Sequence, residues 1–197
     1  GEYAFESALT ERKVIANRID KLDNISFPAR DRLYNLDNYT PADLGMVISP
    51  RGCPFNCSFC CSEKLWGRKV TFRSLDNLIE EIVSVKNKYG TNEFYMIDDS
   101  FTCNKNRTLN FCERVKDLNI TWSCLTRADL IDDNVVSKMK GSGCNMVKIG
   151  LESGNQRVLG VMNKNIKKED VVRASDILHK NGLKWTAYFM VGTPGET

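Results

Sequence analysis

Histidine is almost missing from this chain: its 197 residues contain one, His179. That nearly excludes a His-rich metal site and disfavours a His-based catalytic triad. Long apolar runs are missing too, and none approaches the ~20 residues needed to span a bilayer. Gly1 to Thr10 lacks a basic stretch followed by an apolar core, so no signal peptide is expected. There is no basic block either. Lys and Arg total 28 against 25 Asp and Glu, a formal charge of +3, which gives no support to a nucleic-acid surface. With 42% apolar and 27% charged residues, the composition excludes wholesale disorder.

Cysteine, by contrast, is plentiful: there are eight. Cys53, Cys57, Cys60 and Cys61 fall within nine residues, whereas Cys103, Cys112, Cys124 and Cys144 are scattered through periodic segments. A domain of this size does not need disulfide staples. Clustered thiols without a signal peptide point to metal ligands in a reducing compartment, and a cytoplasmic location is expected.

The chain divides in two. Residues 1–43 are polar and irregular, with a short helix predicted over Phe5–Ile19 and an extended connector over Asn24–Asp31, where Pro28 biases Phe27 away from helix. From residue 44 the pattern is regular. Strands are predicted at Leu44–Ser49, Glu93–Asp98, Ile120–Leu125, Met146–Leu151 and Lys184–Val191. Helices are predicted at Leu75–Tyr89, Lys105–Leu118, Asp133–Lys140 and Lys168–Lys180. Strand runs that are apolar on both faces belong to parallel strands covered by helices. The pattern therefore predicts an α/β fold, and periodicity alone leaves an open doubly wound sheet and a barrel both standing. Because the chain stops in a Gly-Pro turn after the fifth strand, any barrel is expected to be truncated there.

The chemistry is expected at Arg51-Gly52-Cys53-Pro54-Phe55-Asn56-Cys57-Ser58-Phe59-Cys60, a C-x3-C-x2-C pattern just after the first strand. That is the end of an α/β sheet where active sites form. Soft thiolates suit zinc, copper(I) and iron–sulfur clusters. A structural zinc site usually takes four ligands from paired motifs, and no second pair matches these three cysteines. Three thiolates leave one corner of a four-iron cluster open to a substrate or cofactor, unlike the four-cysteine clusters of electron carriers.

This motif, with aromatic Phe59 before its last cysteine, resembles that of the radical S-adenosylmethionine (radical SAM) superfamily, and the resemblance extends over residues 44–197. It implies a parallel (βα) partial TIM-type barrel. It implies that Cys53, Cys57 and Cys60 hold a [4Fe-4S] cluster whose open iron chelates S-adenosylmethionine, which is cleaved reductively to methionine and a 5′-deoxyadenosyl radical. Asp98 or Asp99 would meet the methionine ammonium, Arg127 the carboxylate, and Glu152 with Ser153 the ribose. Gly192 would approach the adenine. Asp98-Asp99 stands where the superfamily often has Gly-Gly-Glu, which leaves the part played by each carboxylate open.

More narrowly, Leu22–Asp31, Asp98–Thr102 and Gly150–Gly154 resemble the branch that carries an upstream cobalamin-binding domain. The chain has no Asp-x-His-x-x-Gly motif, so cobalamin is expected in the full-length protein and not in this portion. The resemblance further implies a one-electron donor such as flavodoxin or ferredoxin and a small-molecule or peptide substrate. It implies neither membrane nor nucleic-acid partners.

Plainer roles stay open. Asp99 or Glu152 can cap the next element, Arg127 can pair with Asp129, and Gly192–Gly195 can be a simple turn. Cys61 reads as a spare thiol, and Cys103, Cys112, Cys124 and Cys144 as small buried apolar residues. The alternative function is a non-catalytic zinc or iron–sulfur electron-transfer module.

Overall fold

A computed structural model describes residues 19–196. The helix predicted at Phe5–Ile19 lies outside the described residues but for Ile19. The predicted extended connector is not continuous: short 3-10 turns form at Leu22–Asn24 and Arg30–Arg32. They bring Leu22 into the core and Arg30 against Glu81.

Five parallel strands make the main sheet: β1 (Met46–Val47), β4 (Glu93–Met96), β5 (Thr121–Thr126), β6 (Cys144–Glu152) and β7 (Lys184–Phe189). Their order is β1-β4-β5-β6-β7, each strand beside the one before it. A doubly wound sheet reverses direction at a switch point; this one does not. The fold is therefore a partial (βα) barrel, with its helices on one face. β2 (Pro50–Arg51) and β3 (Thr71–Phe72) form a separate antiparallel pair.

Local signals set the helices. In α3 (Leu75–Tyr89), Ser74 Oγ accepts from the Asn77 N–H at 3.1 Å, and Gly90 closes the helix at φ +70°. Leu78, Ile82 and Val85 form its buried stripe. α4 (Lys105–Val115) and α5 (Asp133–Gly141) are capped by Asn104 and Asp132. α4 ends three residues before the predicted Leu118, where the chain turns and Asn119 takes φ +50°. α7 (Lys168–Lys180) has the predicted bounds.

The first strand is shorter than predicted. Leu44 ends the small helix α1 (Pro41–Leu44), and only Met46 and Val47 pair with β4. Two other short helices, α2 (Ser62–Trp66) and α6 (Gln156–Val161), have no counterpart in the sequence reading.

The core lies between sheet and helices. Phe101, Phe111 and Trp122 pack ring to ring at 5.2–5.3 Å, and the Trp122 indole N–H donates to the Ser142 carbonyl at 3.0 Å. Cys112, Cys124 and Cys144 are buried there as expected, but Cys103 is only half-buried.

Candidate functional site

The cysteine loop leaves β2 through Gly52, at φ +96°. A Cβ there would stand 2.6 Å from the Lys69 carbonyl oxygen, so this close turn into Cys53 requires glycine. The loop is then stitched to the turn after α6. The Ser58 N–H donates to the Met162 carbonyl at 2.8 Å, and Asn163 Nδ2 donates to the Asn56 carbonyl at 2.6 Å.

All eight cysteines are free thiols. Cys53 and Cys57 are half-buried, and Cys60 and Cys61 are exposed. Burial pushes the Cys53 thiol up, and the charges of Asp99, Cys60 and Cys57 add to this against a hydrogen bond from the Phe55 backbone. Hydrogen bonds to sulfur are already in place. The Ser62 N–H donates to Cys60 Sγ at 3.4 Å, and Arg127 Nη1 donates to Cys57 Sγ at 3.6 Å. Among the described residues, no three Cys, His, Asp or Glu side chains converge on a single-ion position. A cluster that places each cysteine on a different iron needs thiols spread around a cube rather than gathered on a point. Three free thiols receiving N–H···S bonds fit such a cluster.

The ends of the parallel strands surround this loop. After β4, Asp98 and Asp99 diverge. Asp98 is 2% exposed, and both its oxygens are taken by Ser49, through the backbone N–H at 2.7 Å and the hydroxyl at 2.5 Å. Asp99 is exposed and accepts from Ser62 Oγ at 2.5 Å, beside the cysteine loop. After β5, Arg127 is buried and grips Asp129 with two nitrogens, at 2.9 and 3.1 Å. The guanidinium also donates to the Lys164 carbonyl at 2.6 Å and lies 3.8 Å from the Phe55 ring centroid. At the end of β6, Glu152 takes φ +64° and pairs with buried Lys164 at 2.8 Å. Its carboxylate folds back over its own strand into the space a side chain at Gly150 would fill. Ser153 Oγ accepts from the Asn155 N–H at 3.1 Å. Phe59 and Gly192 line one cleft of about 330 Å³ with Val161, Met162 and Met190.

A family profile described as the radical SAM superfamily matches residues 47–197. The chain belongs to that superfamily. An uncharacterized methyltransferase of Pyrococcus horikoshii is 34% identical, aligned over 91% of this chain and 40% of that protein. The anaerobic magnesium-protoporphyrin IX monomethyl ester cyclase of Rubrivivax gelatinosus is 32% identical, over 88% of this chain and 35% of its own. The structure of the radical S-adenosylmethionine methyltransferase TsrM from Kitasatospora setae, with cobalamin and a [4Fe-4S] cluster bound, superposes with a TM-score of 0.74. The identity is 20%, covering 83% of this chain and 34% of that one. This radical SAM chain thus spans well under half the length of these relatives.

Four residues of the site were not singled out in the sequence. Ser49 and Ser62 sort the two aspartates, Lys164 pairs with Glu152, and Phe55 stacks under Arg127. Phe55 lies inside the motif, so its position was a signal. Lys164 lies in a polar loop with none.

Burial raises the Asp98 carboxyl to about 7, against the hydrogen bonds from Ser49. A raised acid favours the folded state while it holds its proton. Below about pH 4 folded and unfolded chains are both protonated. Between there and about 7 only the folded chain is. Stability should therefore fall as pH rises through that window, by a few kcal/mol in order of magnitude, and then level off. Urea midpoints across the window should show this slope, and Asp98→Asn should flatten it. An unchanged slope in the variant would contradict the assignment.

Proposed function

We propose that this chain is the S-adenosylmethionine-activating core of a radical enzyme, with Cys53, Cys57 and Cys60 holding a [4Fe-4S] cluster. The observation that carries it is the three-thiol loop lying within the ring of strand ends that presents Asp99, Arg127, Glu152 and Gly192. Held by these three cysteines, the cluster would supply the one-electron reduction needed for reductive cleavage of S-adenosylmethionine.

The chain's own residues bind, orient and shield. Asp99, exposed and with one oxygen outside its bond to Ser62, accepts the methionine ammonium. Asp98 acts from behind, tying the end of β4 to Ser49. Arg127 is committed to Asp129 and Cys57, so it steadies the ligating sulfur and orients the loop. Lys164 and Glu152 are the adjoining charged pair, and Glu152 with Ser153 faces the ribose diol. Phe59 and Gly192 form the two walls of an adenine slot. Methyl transfer aided by cobalamin in the full-length protein is the favoured outcome, supported by the relatives named as methyltransferases. The substrate is a small molecule or peptide, and a flavodoxin or ferredoxin supplies the electron. No helix among the described residues is long and apolar enough to cross a membrane. The clustering of four cysteines within nine residues, read as metal ligation, favours a reducing, cytoplasmic location.

Anaerobic reconstitution should yield about four irons per chain. Adding S-adenosylmethionine should then change the paramagnetic resonance spectrum of the reduced cluster. A colourless protein holding one zinc, or a spectrum indifferent to the cofactor, favours the non-catalytic module instead.

A further inference from the structure

The two faces of the main sheet carry different chemistry. Phe94, Met96, Val147 and Ile149 point into the helical layer and are buried. The alternate residues Tyr95, Lys148 and Tyr188 stand on the opposite, concave face. Lys148 lies opposite Leu125 on one neighbouring strand and Thr186 on the other, with Tyr188 two residues further along β7.

Lys148 is half-buried, and its Nζ sits 3.7 Å from the centroid of the Tyr95 ring. Among the described residues it has no hydrogen bond or ion pair. Four other cations withdrawn from solvent are matched, Arg30 and Arg73 by Glu81, Arg127 by Asp129 and Lys164 by Glu152, whereas Arg107, over the Phe72 ring, has no ion pair among the described residues. A ring face offsets only part of the cost of withdrawing an ammonium from water. The position is thus electrostatically incomplete in a way that a bound anion repairs.

We propose that Lys148, Tyr95 and Tyr188 form an anion-anchoring subsite for a substrate whose carboxylate or phosphoryl group is carried on an apolar body. The inference rests on the concave face being the substrate side of the radical SAM core proposed above.

Three features favour this occupant. The charge is complementary, and an ammonium beside two phenols offers several donors to one anion. Burial, with the neighbouring Tyr188 phenol, pushes the Tyr95 phenol up, so it keeps its proton as a donor at neutral pH. The floor around the triad is apolar: Met46, Ile48 and Ile97 are exposed on this face, and Leu125 and Met146 are partly so. Tyr95 precedes Asp98 by three residues and Lys148 precedes Glu152 by four, or ~10–13 Å at strand rise. A molecule anchored by its anion at Lys148 lays its apolar part along that distance toward the strand ends, where the thiol loop lies.

The probes are benzoate and phenylphosphonate, with benzamide as the neutral match for benzoate. They are titrated into the 197-residue chain carrying 13C-methylated lysines, and the Lys148 resonance is followed. Both anions should shift it saturably, with benzamide about tenfold weaker or more. Read instead from the Tyr95 and Tyr188 ring resonances, which both variants retain, Lys148→Met should lose about tenfold or more in anion affinity, while Lys148→Arg, which keeps the charge, should stay within about threefold. Benzamide binding as well as benzoate, or Lys148→Met binding unchanged, overturns the proposal. So does a flat titration, which means the ammonium is already taken by a carboxylate of the protein. An equal response at exposed Lys184 shows unspecific ion pairing and overturns it too. Iron content of Lys148→Met, read separately, should match the wild type. A wild-type chain that binds the anions but assembles no cluster counts against the cofactor reading and leaves the subsite standing.

Discussion

Replacing Cys53, Cys57 and Cys60 together by alanine should take bound iron from about four per chain to nearly none, with the visible absorbance lost in parallel. Each thiol serves a different iron in the proposed cluster, so no neighbour can take over. Cys61 is the built-in control. It is exposed, it stands at the start of α2, and its carbonyl accepts from the Leu65 N–H at 3.0 Å. Its thiol contributes nothing to that contact, so Cys61→Ala should retain the full iron content. Single variants at the three positions should each lose most of the cluster. The fold should survive in all of them, because none of the three side chains belongs to the buried core. Circular dichroism separates ligand loss from unfolding. A triple variant that keeps its iron would show that the ligands are elsewhere.

The largest effect on stability is expected at Glu81. Its side chain is 2% exposed and bridges two guanidiniums. Arg30 reaches Oε1 at 2.7 Å and also donates to the Met46 carbonyl, while Arg73 bonds Oε2 and donates to the Ile48 carbonyl at 2.9 Å. One carboxylate therefore pins the connector and the loop after β1 to α3. Glu81→Ala leaves two cations facing each other with little water to screen them. Breaking such an arrangement from one side costs about 3–5 kcal/mol. That is a large share of the roughly 5–15 kcal/mol that holds a domain together. Urea unfolding followed by tryptophan fluorescence should show a matching drop in midpoint. Substituting all three residues with apolar side chains of similar volume should recover much of the loss, since the desolvation cost of the charges disappears with them. A loss below about 1 kcal/mol in Glu81→Ala would mean that water already reaches the triad.

The helices were the most legible part of this protein. α3 and α7 have the bounds read from the sequence, because a 3.6-residue stripe and its stop, with a Ser74 start for α3, are written in neighbouring residues. The cysteine spacing was legible for the same reason: it is local. The hairpin of β2 and β3, α2 and α6 were not, because these short elements carry little pattern and are held by partners far along the chain. Ser58 and Met162 are one such pair.

What the sequence by itself determined, then, is the alternation of strand and helix, the caps, and a three-thiol motif after the first strand. Tertiary structure decided the rest. The strand order made a partial barrel of a pattern that suited a doubly wound sheet equally well. Ser49 and Ser62 gave two adjacent aspartates opposite fates, one buried and tied, one exposed beside the thiols. The same winding left Lys148 on an open face with a tyrosine ring and no carboxylate. The physical reason is common to all three. Backbone conformation answers to residues a few positions away, whereas burial and pairing depend on which distant segments the closing sheet brings together.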